Sequence, residues 1–312
     1  MDNKRKVILD CDPGHDDAMA ILLAGSKQSN LNIEAITTVA GNINVEKNTL
    51  NALKVCDKAH LDDIPVAQGS DKPLVKKMEV AKEIHGESGM DGPQLPDTPS
   101  KEPIQAHAVK VIIDKIMQSD NDITLVPTGP LTNIALAMRT EPRIIPKVKE
   151  IALMGGGTFG NWTPAAEFNI WADAESAKIV FESGVPIAMF GLDVTHQALA
   201  TEEITKELAK IENPVAEFVV DLLTFFSKTY KDVFGFDGAP IHDACTVAYL
   251  IDPSIFSFEH VHVDIETKGD YTYGMTIVDR LGVTEKEPNV HFAYKLDQDK
   301  FWKLFKDALQ TY

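Results

Sequence analysis

The chain has 312 residues, 44% of them hydrophobic and 25% charged, which allows a sizeable core and excludes a disordered or collagen-like chain. Its formal charge of -17, from 30 Lys+Arg against 47 Asp+Glu, repels phosphate backbones and anionic lipid, so neither nucleic acid nor a membrane is expected as a partner. Lys4-Arg5-Lys6 and Lys76-Lys77 are too short for a basic stripe and read as solvated flanks.

The opening MDNKRK runs straight into a strand-like VILDC without the longer apolar region of a secretory signal, and no apolar run nears the ~20 residues of a membrane span. Cys11, Cys56 and Cys245 are odd in number and far apart, as buried thiols in a reducing compartment are. A cytoplasmic protein is expected. Short β-branched runs then alternate with helical patterns. The first are a strand at 7–11, a helix at 16–27, a strand at 33–39, a helix at 45–59 and a strand at 64–68. The rhythm resumes with a helix at 107–119, strand 122–129, helix 131–139, strand 149–157, helix 173–184 and strand 186–195. Residues 202–251 are mainly helical, and the tail returns to strands in VHVDIE, MTIVD and VHFAYKL before a last helix near 299–310.

Strands that are almost continuously apolar are covered on both faces. The pattern predicts an α/β fold, an open, mostly parallel, doubly wound sheet flanked by helices, with additional C-terminal helices and strands. Sites in such a sheet lie at the carboxyl ends of its strands. Residues 70–104 and 155–171 read as long functional loops. No linker interrupts the pattern, so a single domain over 1–312 is expected.

Asp10-Cys11-Asp12-Pro13-Gly14-His15-Asp16-Asp17 packs four carboxylates into eight positions where the first strand turns into the first helix. One acid there is an ordinary helix cap. Four like charges raise one another's pKa unless a cation neutralises them, which points to a metal. Carboxylate and carbonyl donors favour Ca2+ or Mg2+, and Ca2+ tolerates an irregular, high coordination that includes substrate hydroxyls. VILDCD is also how haloacid-dehalogenase-type phosphatases present an Asp nucleophile around Mg2+, but here Pro13-Gly14-His15 follows, and GLDVT at 191–195 matches their later motifs only faintly.

DCDPGHDDAMAILLA, with ITTVAGN (36–42), IHGESGMDGP (84–93), LVPTGPLTNIALA (125–137), LMGGG (153–157), AEFNIWADAESA (166–177) and HDA (242–244), resembles the inosine-uridine preferring nucleoside hydrolases, in order over nearly the whole chain. The resemblance implies the nucleoside hydrolase fold. It also implies calcium-dependent, inverting hydrolysis of the N-glycosidic bond of purine and pyrimidine ribonucleosides, giving ribose and a free base by attack of a water held on the ion. It further implies a role in nucleoside salvage and a homodimer or homotetramer.

Carried over by position, Asp12 matches an acid that touches the metal and acts as general base. Asp17, the Thr128 carbonyl and Asp243 match further metal ligands. Asp16 matches the residue that grips the ribose 2′-hydroxyl, and Asn161, Glu167 and Asn169 match groups on the sugar hydroxyls, with Asn42 bracing the pocket. His242 matches the general acid for the departing base, and His85 lies in a mobile loop that closes over the site. A non-catalytic nucleoside-binding protein would keep this sugar grip without turnover, and an intact Asp12 and His242 argue against that.

Other residues are read from the sequence alone. Met154, before a triple glycine at a strand end, and Phe168 are expected to touch substrate. Phe226, at helical spacing, is expected in the core, whereas Tyr230 belongs to a flexible flap over the base at 230–240. Asp10 is expected to hydrogen-bond turn amides around the site. His15 receives no role.

Overall fold

The computed structural model describes residues 4–312. Met1–Asn3, part of the lead-in considered above, lie outside the described residues. The chain runs β1 (Arg5–Cys11), α1 (His15–Gly25), β2 (Leu31–Thr38), α2 (Val45–Ala59), β3 (Val66–Gln68), α3 (Lys82–His85), α4 (Ala108–Gln118), β4 (Ile123–Pro127) and α5 (Thr132–Thr140). It continues β5 (Glu150–Met154), α6 (Phe168–Ala172), α7 (Ala174–Phe181), β6 (Ile187–Phe190), α8 (Leu192–Thr195), β7 (Leu199–Thr201), α9 (Glu202–Leu208), α10 (Pro214–Phe234) and β8 (Gly238–Pro240). It closes with α11 (Ala244–Ile251), β9 (Phe256–Ile265), β10 (Thr276–Asp279), β11 (Val290–Leu296) and α12 (Gln298–Leu309).

The main sheet has the order β10-β9-β11-β6-β5-β4-β1-β2-β3. It is parallel from β11 to β3, while β9 pairs antiparallel with both β10 and β11. This is the expected doubly wound sheet with its extra C-terminal strands. Alternation along β1 explains its position at the centre. Val7, Leu9 and Cys11 join one core with α1, α2, α10, α11 and α12, whereas Ile8 joins the opposite core with α4, α5 and α7. A strand covered on both faces must be apolar throughout. Among the described residues no helix is long and apolar enough to cross a membrane.

Two expectations about elements need correction. The apolar run at 186–195 is not one strand: β6 stops at Phe190, and Leu192–Thr195 forms α8. The break is at Gly191, which packs so closely on the backbone of Gly156 that an added Cβ would lie 2.8 Å from its carbonyl oxygen. Tyr230 is not on a flap. It lies inside α10, a 21-residue helix capped by Asn213, started by Pro214 and ended by Gly235 at φ 72, and helical spacing turns Tyr230 and Phe226 to the same buried side.

Candidate active site

From β1 the chain winds outward through β2 and β3, then returns to the other side of β1 as β4. The strand order therefore reverses between β1 and β4, and a crevice opens outside their carboxyl ends. Asp12 follows β1 and Thr128 follows β4, so the acidic turn sits at that crevice. A pocket there is lined by Asp16, Asn42, His85, Thr128, Met154, Asn161, Glu167, Phe168, Asn169, Tyr230, His242 and Asp243. Asp12 and Asp17 lie beneath it, 1% and 0% exposed.

Asp16, Asp17 and Asp243 each offer an oxygen within 4.8 Å of the others. Sequence reasoning placed Asp12 among the ligands and Asp16 on the sugar; by distance alone Asp16 completes this triplet. Asp17 is held by donors from three directions, Thr128 Oγ1 at 2.8 Å, the Gly14 N–H at 3.0 Å and the Asp12 N–H at 3.3 Å. Burial, and after it the neighbouring acids, push the carboxyl groups of Asp12, Asp16 and Asp243 up; burial pushes Asp17 up as well. Asp12 accepts the Asn42 N–H at Oδ2 over 2.7 Å. Its Oδ1 is buried with no hydrogen-bond partner. An orphaned carboxylate oxygen beside a crowded all-oxygen donor set fits a divalent cation and a water better than it fits a closed core.

Gly41 and Gly129 wall Asp12 in, and both are glycine because of close approach rather than backbone conformation. A Cβ on Gly129 would stand 2.5 Å from Asp12 Oδ1, and one on Gly41 would collide with Oδ2. Gly129→Ala is expected to displace the Asp12 carboxylate and cut kcat about a hundred-fold while leaving the circular dichroism spectrum unchanged, as steady-state kinetics on the folded variant will show.

Asp10 corrects its expectation. It bonds side chains rather than turn amides, with Oδ1 accepting from Thr37 Oγ1 at 2.6 Å and Asn133 Nδ2 at 2.8 Å. Burial raises its pKa to about 7, and burial raises Glu167 to about 7 as well. In the unfolded chain such acids titrate near ~4. Between about 4 and about 7 the folded protein therefore binds more protons than the unfolded one, and stability falls as pH rises through that window. Metal-free protein is expected to lose a few kcal/mol from pH 5 to pH 8, since each tenfold difference in proton affinity between the folded and unfolded chain is worth about 1.4 kcal/mol. A divalent cation should restore more Tm at pH 8 than at pH 5, since its ligands must be ionised. Calorimetry at both pH values checks this, and a cation effect equal at the two would contradict it.

Amide and carboxylate groups form part of the pocket lining. Glu167 caps α6, accepting the Asn169 N–H at 2.9 Å and the Gly156 N–H at 2.8 Å. Asn169 Nδ2 donates to the Thr128 carbonyl at 2.7 Å and to the Met154 carbonyl at 3.3 Å. Asn161 Oδ1 accepts the Phe168 N–H at 3.0 Å. Imidazole and aromatic rings also line the pocket. His242 Nε2 lies 2.9 Å from the Tyr230 hydroxyl and its Nδ1 lies 2.7 Å from Thr195 Oγ1. Burial keeps the His242 and His85 rings neutral by lowering both pKa values well below the usual histidine range. His85 sits at the end of α3, 6% exposed.

The structure thus gathers every site residue named from the sequence around one crevice. Phe226 is in the core as expected and also lines the pocket. Sequence reasoning missed Thr195, which lies 47 positions from His242, and the contact between His15 and His85. Thr195 gave no signal, hidden in a run that reads as strand.

Comparison with known proteins agrees with this architecture. Residues 7–303 match the family described as inosine-uridine preferring nucleoside hydrolase. The chain is 49% identical over 310 residues to the pyrimidine-specific ribonucleoside hydrolase RihA of Shewanella woodyi, covering 99% of both chains. It is 45% identical over 311 residues to the pyrimidine-specific ribonucleoside hydrolase RihB of Escherichia coli O9:H4, covering 99% of this chain and 98% of that protein. Among solved structures, a plant nucleoside hydrolase, PpNRh1, superposes with a TM-score of 0.90 at 31% identity, covering 98% of this chain and 99% of its own. A purine-preferring ribonucleoside hydrolase from Gardnerella vaginalis superposes with a TM-score of 0.90 at 32% identity, covering 98% of each.

Proposed function

Because the chain belongs to the inosine-uridine preferring nucleoside hydrolase family, and is therefore a hydrolase of N-glycosidic bonds, we propose that it cleaves purine and pyrimidine ribonucleosides with calcium and with inversion. The observation that carries this reading is the unpaired, buried Asp12 Oδ1 beside the Asp16, Asp17 and Asp243 cluster. Asp12, Asp17, Asp243 and the Thr128 carbonyl would hold the ion. The chemistry bound calcium supplies is Lewis acidity, which lowers the pKa of the attacking water.

Asp12 takes the proton of the attacking water, since its Oδ1 accepts no hydrogen bond from the protein. Inversion follows if water and leaving base sit on opposite faces of the sugar. Asp16, Asp243 and the hydrogen-bonded His242–Tyr230 pair line the same pocket, which supports acids and a proton donor acting on one substrate. Asp16, Asn161, Glu167 and Asn169 hold the ribose hydroxyls, Asn42 fixes Asp12, and Met154, Phe168 and His85 complete the walls. Pyrimidine ribosides are the better substrates in this reading, which the two pyrimidine-specific relatives support. The same reading takes the chain as one domain, a homodimer or homotetramer, working in nucleoside salvage in the cytoplasm.

A reducing-sugar assay on uridine, cytidine, inosine and adenosine, before and after chelation and with calcium added back, tests the proposal. Ribose release should vanish on chelation and return with calcium; a rate untouched by thorough chelation rejects the mechanism. His242 serves as the acid only after its resting, neutral ring has taken up a proton from solvent, and it then passes that proton to the departing base through the Tyr230 hydroxyl bonded to its Nε2, so that the base leaves neutral and the ring returns to its neutral form. His242→Ala is therefore expected to lower kcat about a thousand-fold on uridine but less than ten-fold on p-nitrophenyl riboside, whose leaving group needs no proton. Equal losses on both would remove His242 from that role.

A further inference from the structure

His15, at the first position of α1, occupies a place that the mechanism above does not use. Its ring is sandwiched between Phe225 and Phe226, with centroids 5.3 and 4.8 Å away and planes within 1° and 5°. Both ring nitrogens have partners. Nε2 lies 2.8 Å from the Asp91 carbonyl oxygen, and Nδ1 lies 3.2 Å from Nδ1 of His85. His85 in turn is pressed against Gly14, where an added Cβ would come within 2.5 Å of its Nδ1.

These contacts leave one arrangement of protons. A carbonyl oxygen only accepts, so the proton of His15 must be on Nε2. His15 is fully buried between two phenyl rings and His85 is 6% exposed, and the partners on their nitrogens are a backbone carbonyl and each other, with no carboxylate to balance a charge, so each ring is neutral and carries one proton. His15 Nδ1 is then a bare lone pair, and the contact between the two Nδ1 atoms holds only if His85 donates. With its single proton spent on His15, His85 has an unprotonated Nε2. Among the described residues that atom has no hydrogen-bond partner, and His85 lines the pocket.

We propose that His15 is a positioning residue that locks His85 in the Nδ1–H tautomer, so that His85 accepts a hydrogen bond from a hydroxyl or N–H of the bound nucleoside and is not a proton donor to the leaving base. The ligand group facing Nε2 must be a donor; a carbonyl oxygen at that place meets a lone pair. The same His15 ring ties the segment around Asp91 to the acidic turn, which couples the seating of that segment to the hydrogen-bond polarity of the pocket.

The inference rests on the ribonucleoside reading for its kinetic arm alone, because the tautomer is a property of the resting protein. In the full chain with 15N-labelled histidine, chelated and without substrate, the His85 signal, assigned by its loss in His85→Gln, should show a protonated Nδ1 and a bare Nε2. A protonated Nε2 overturns the proposal, whatever the enzyme turns over. In the kinetic arm, His15→Asn places an oxygen acceptor where Nδ1 was, and His15→Gln reaches the Asp91 carbonyl but offers His85 no acceptor. His15→Gln should raise KM for uridine about ten-fold with kcat within three-fold, the size expected for one lost hydrogen bond, while His15→Asn stays within about three-fold of the parent in both. Retention by His15→Gln rather than His15→Asn would show that docking the Asp91 segment is the whole role, and a loss confined to kcat would make His85 a proton donor; either result overturns the proposal. If neither variant folds, the tautomer of the unsubstituted protein decides.

Discussion

Asp12→Asn is expected to lower kcat by about a thousand-fold, some 4 kcal/mol of barrier, while substrate affinity changes less than ten-fold. The substitution is nearly isosteric, and an Asn oxygen can still accept the Asn42 N–H now bonded to Oδ2. What it removes is the Asp12 oxygen that has no partner, Oδ1, replaced by an amide that cannot take a proton. Removing a negative charge from this crowd of acids also relieves repulsion, since neighbouring Asp17 and Asp16 help raise the Asp12 pKa. The metal-free variant should therefore melt higher than the metal-free parent. Together these separate two roles for Asp12. If it acted only by holding the ion, a large excess of calcium would restore turnover; if it takes the water's proton, excess calcium restores binding and leaves kcat low. Turnover within ten-fold of the parent, measured at saturating calcium and uridine, would remove Asp12 as the base.

The same residue shows which parts of the site could be read from sequence. Asp12, Asp16 and Asp17 lie within one turn of chain, and a strand ending in four acids is a local signal with a physical reason behind it. The apolar runs 7–11, 122–129 and 149–157 gave strands at their centres because a strand covered on both faces has no polar register to confuse. Errors fell where a tertiary contact overrode the local pattern. The run at 186–195 bends at Gly191 because the Gly156 backbone leaves no room for a side chain. Tyr230 lies near two glycines and read as flap, but Asn213 and Gly235 cap one continuous helix around it.

Pairings over long separations were beyond any window of sequence. His15 meets His85 across 70 positions, and Asp10 meets Asn133 across 123. From the residues alone, the strand end at 126–129 could offer a carbonyl and Asp243 another acid, but a lone Thr after a strand or a lone Asp before a helix is ordinary punctuation, and the resemblance was needed to make them ligands.

Uridine should be cleaved at least about a thousand-fold more efficiently than 2′-deoxyuridine in kcat/KM. The magnitude depends on what the sugar meets. An apolar pocket distinguishes a ligand by one hydroxyl only ~100-fold, because nothing in the wall is left wanting when the group is absent; a wall of polar groups built to bond that hydroxyl rejects the deoxy analogue by about 10⁴ or more. Here the wall is of the second kind. Asp16 lines the pocket at 5% exposure, and burial is the main cause of its raised pKa. A ribose 2′-hydroxyl gives this carboxylate a donor; 2′-deoxyribose leaves it buried and unanswered. Hydrogen bonds at that hydroxyl also strengthen as the sugar moves toward an oxocarbenium ion, so part of the loss belongs in kcat. Asp16→Ala supplies the decisive comparison. If Asp16 is the group that reads the hydroxyl, the variant loses most of its rate on uridine and little more on 2′-deoxyuridine, and the ratio between the two collapses toward unity. A ratio that survives the substitution assigns the discrimination to other residues, and comparable efficiencies in the unsubstituted enzyme would mean that the pocket does not grip the diol at all.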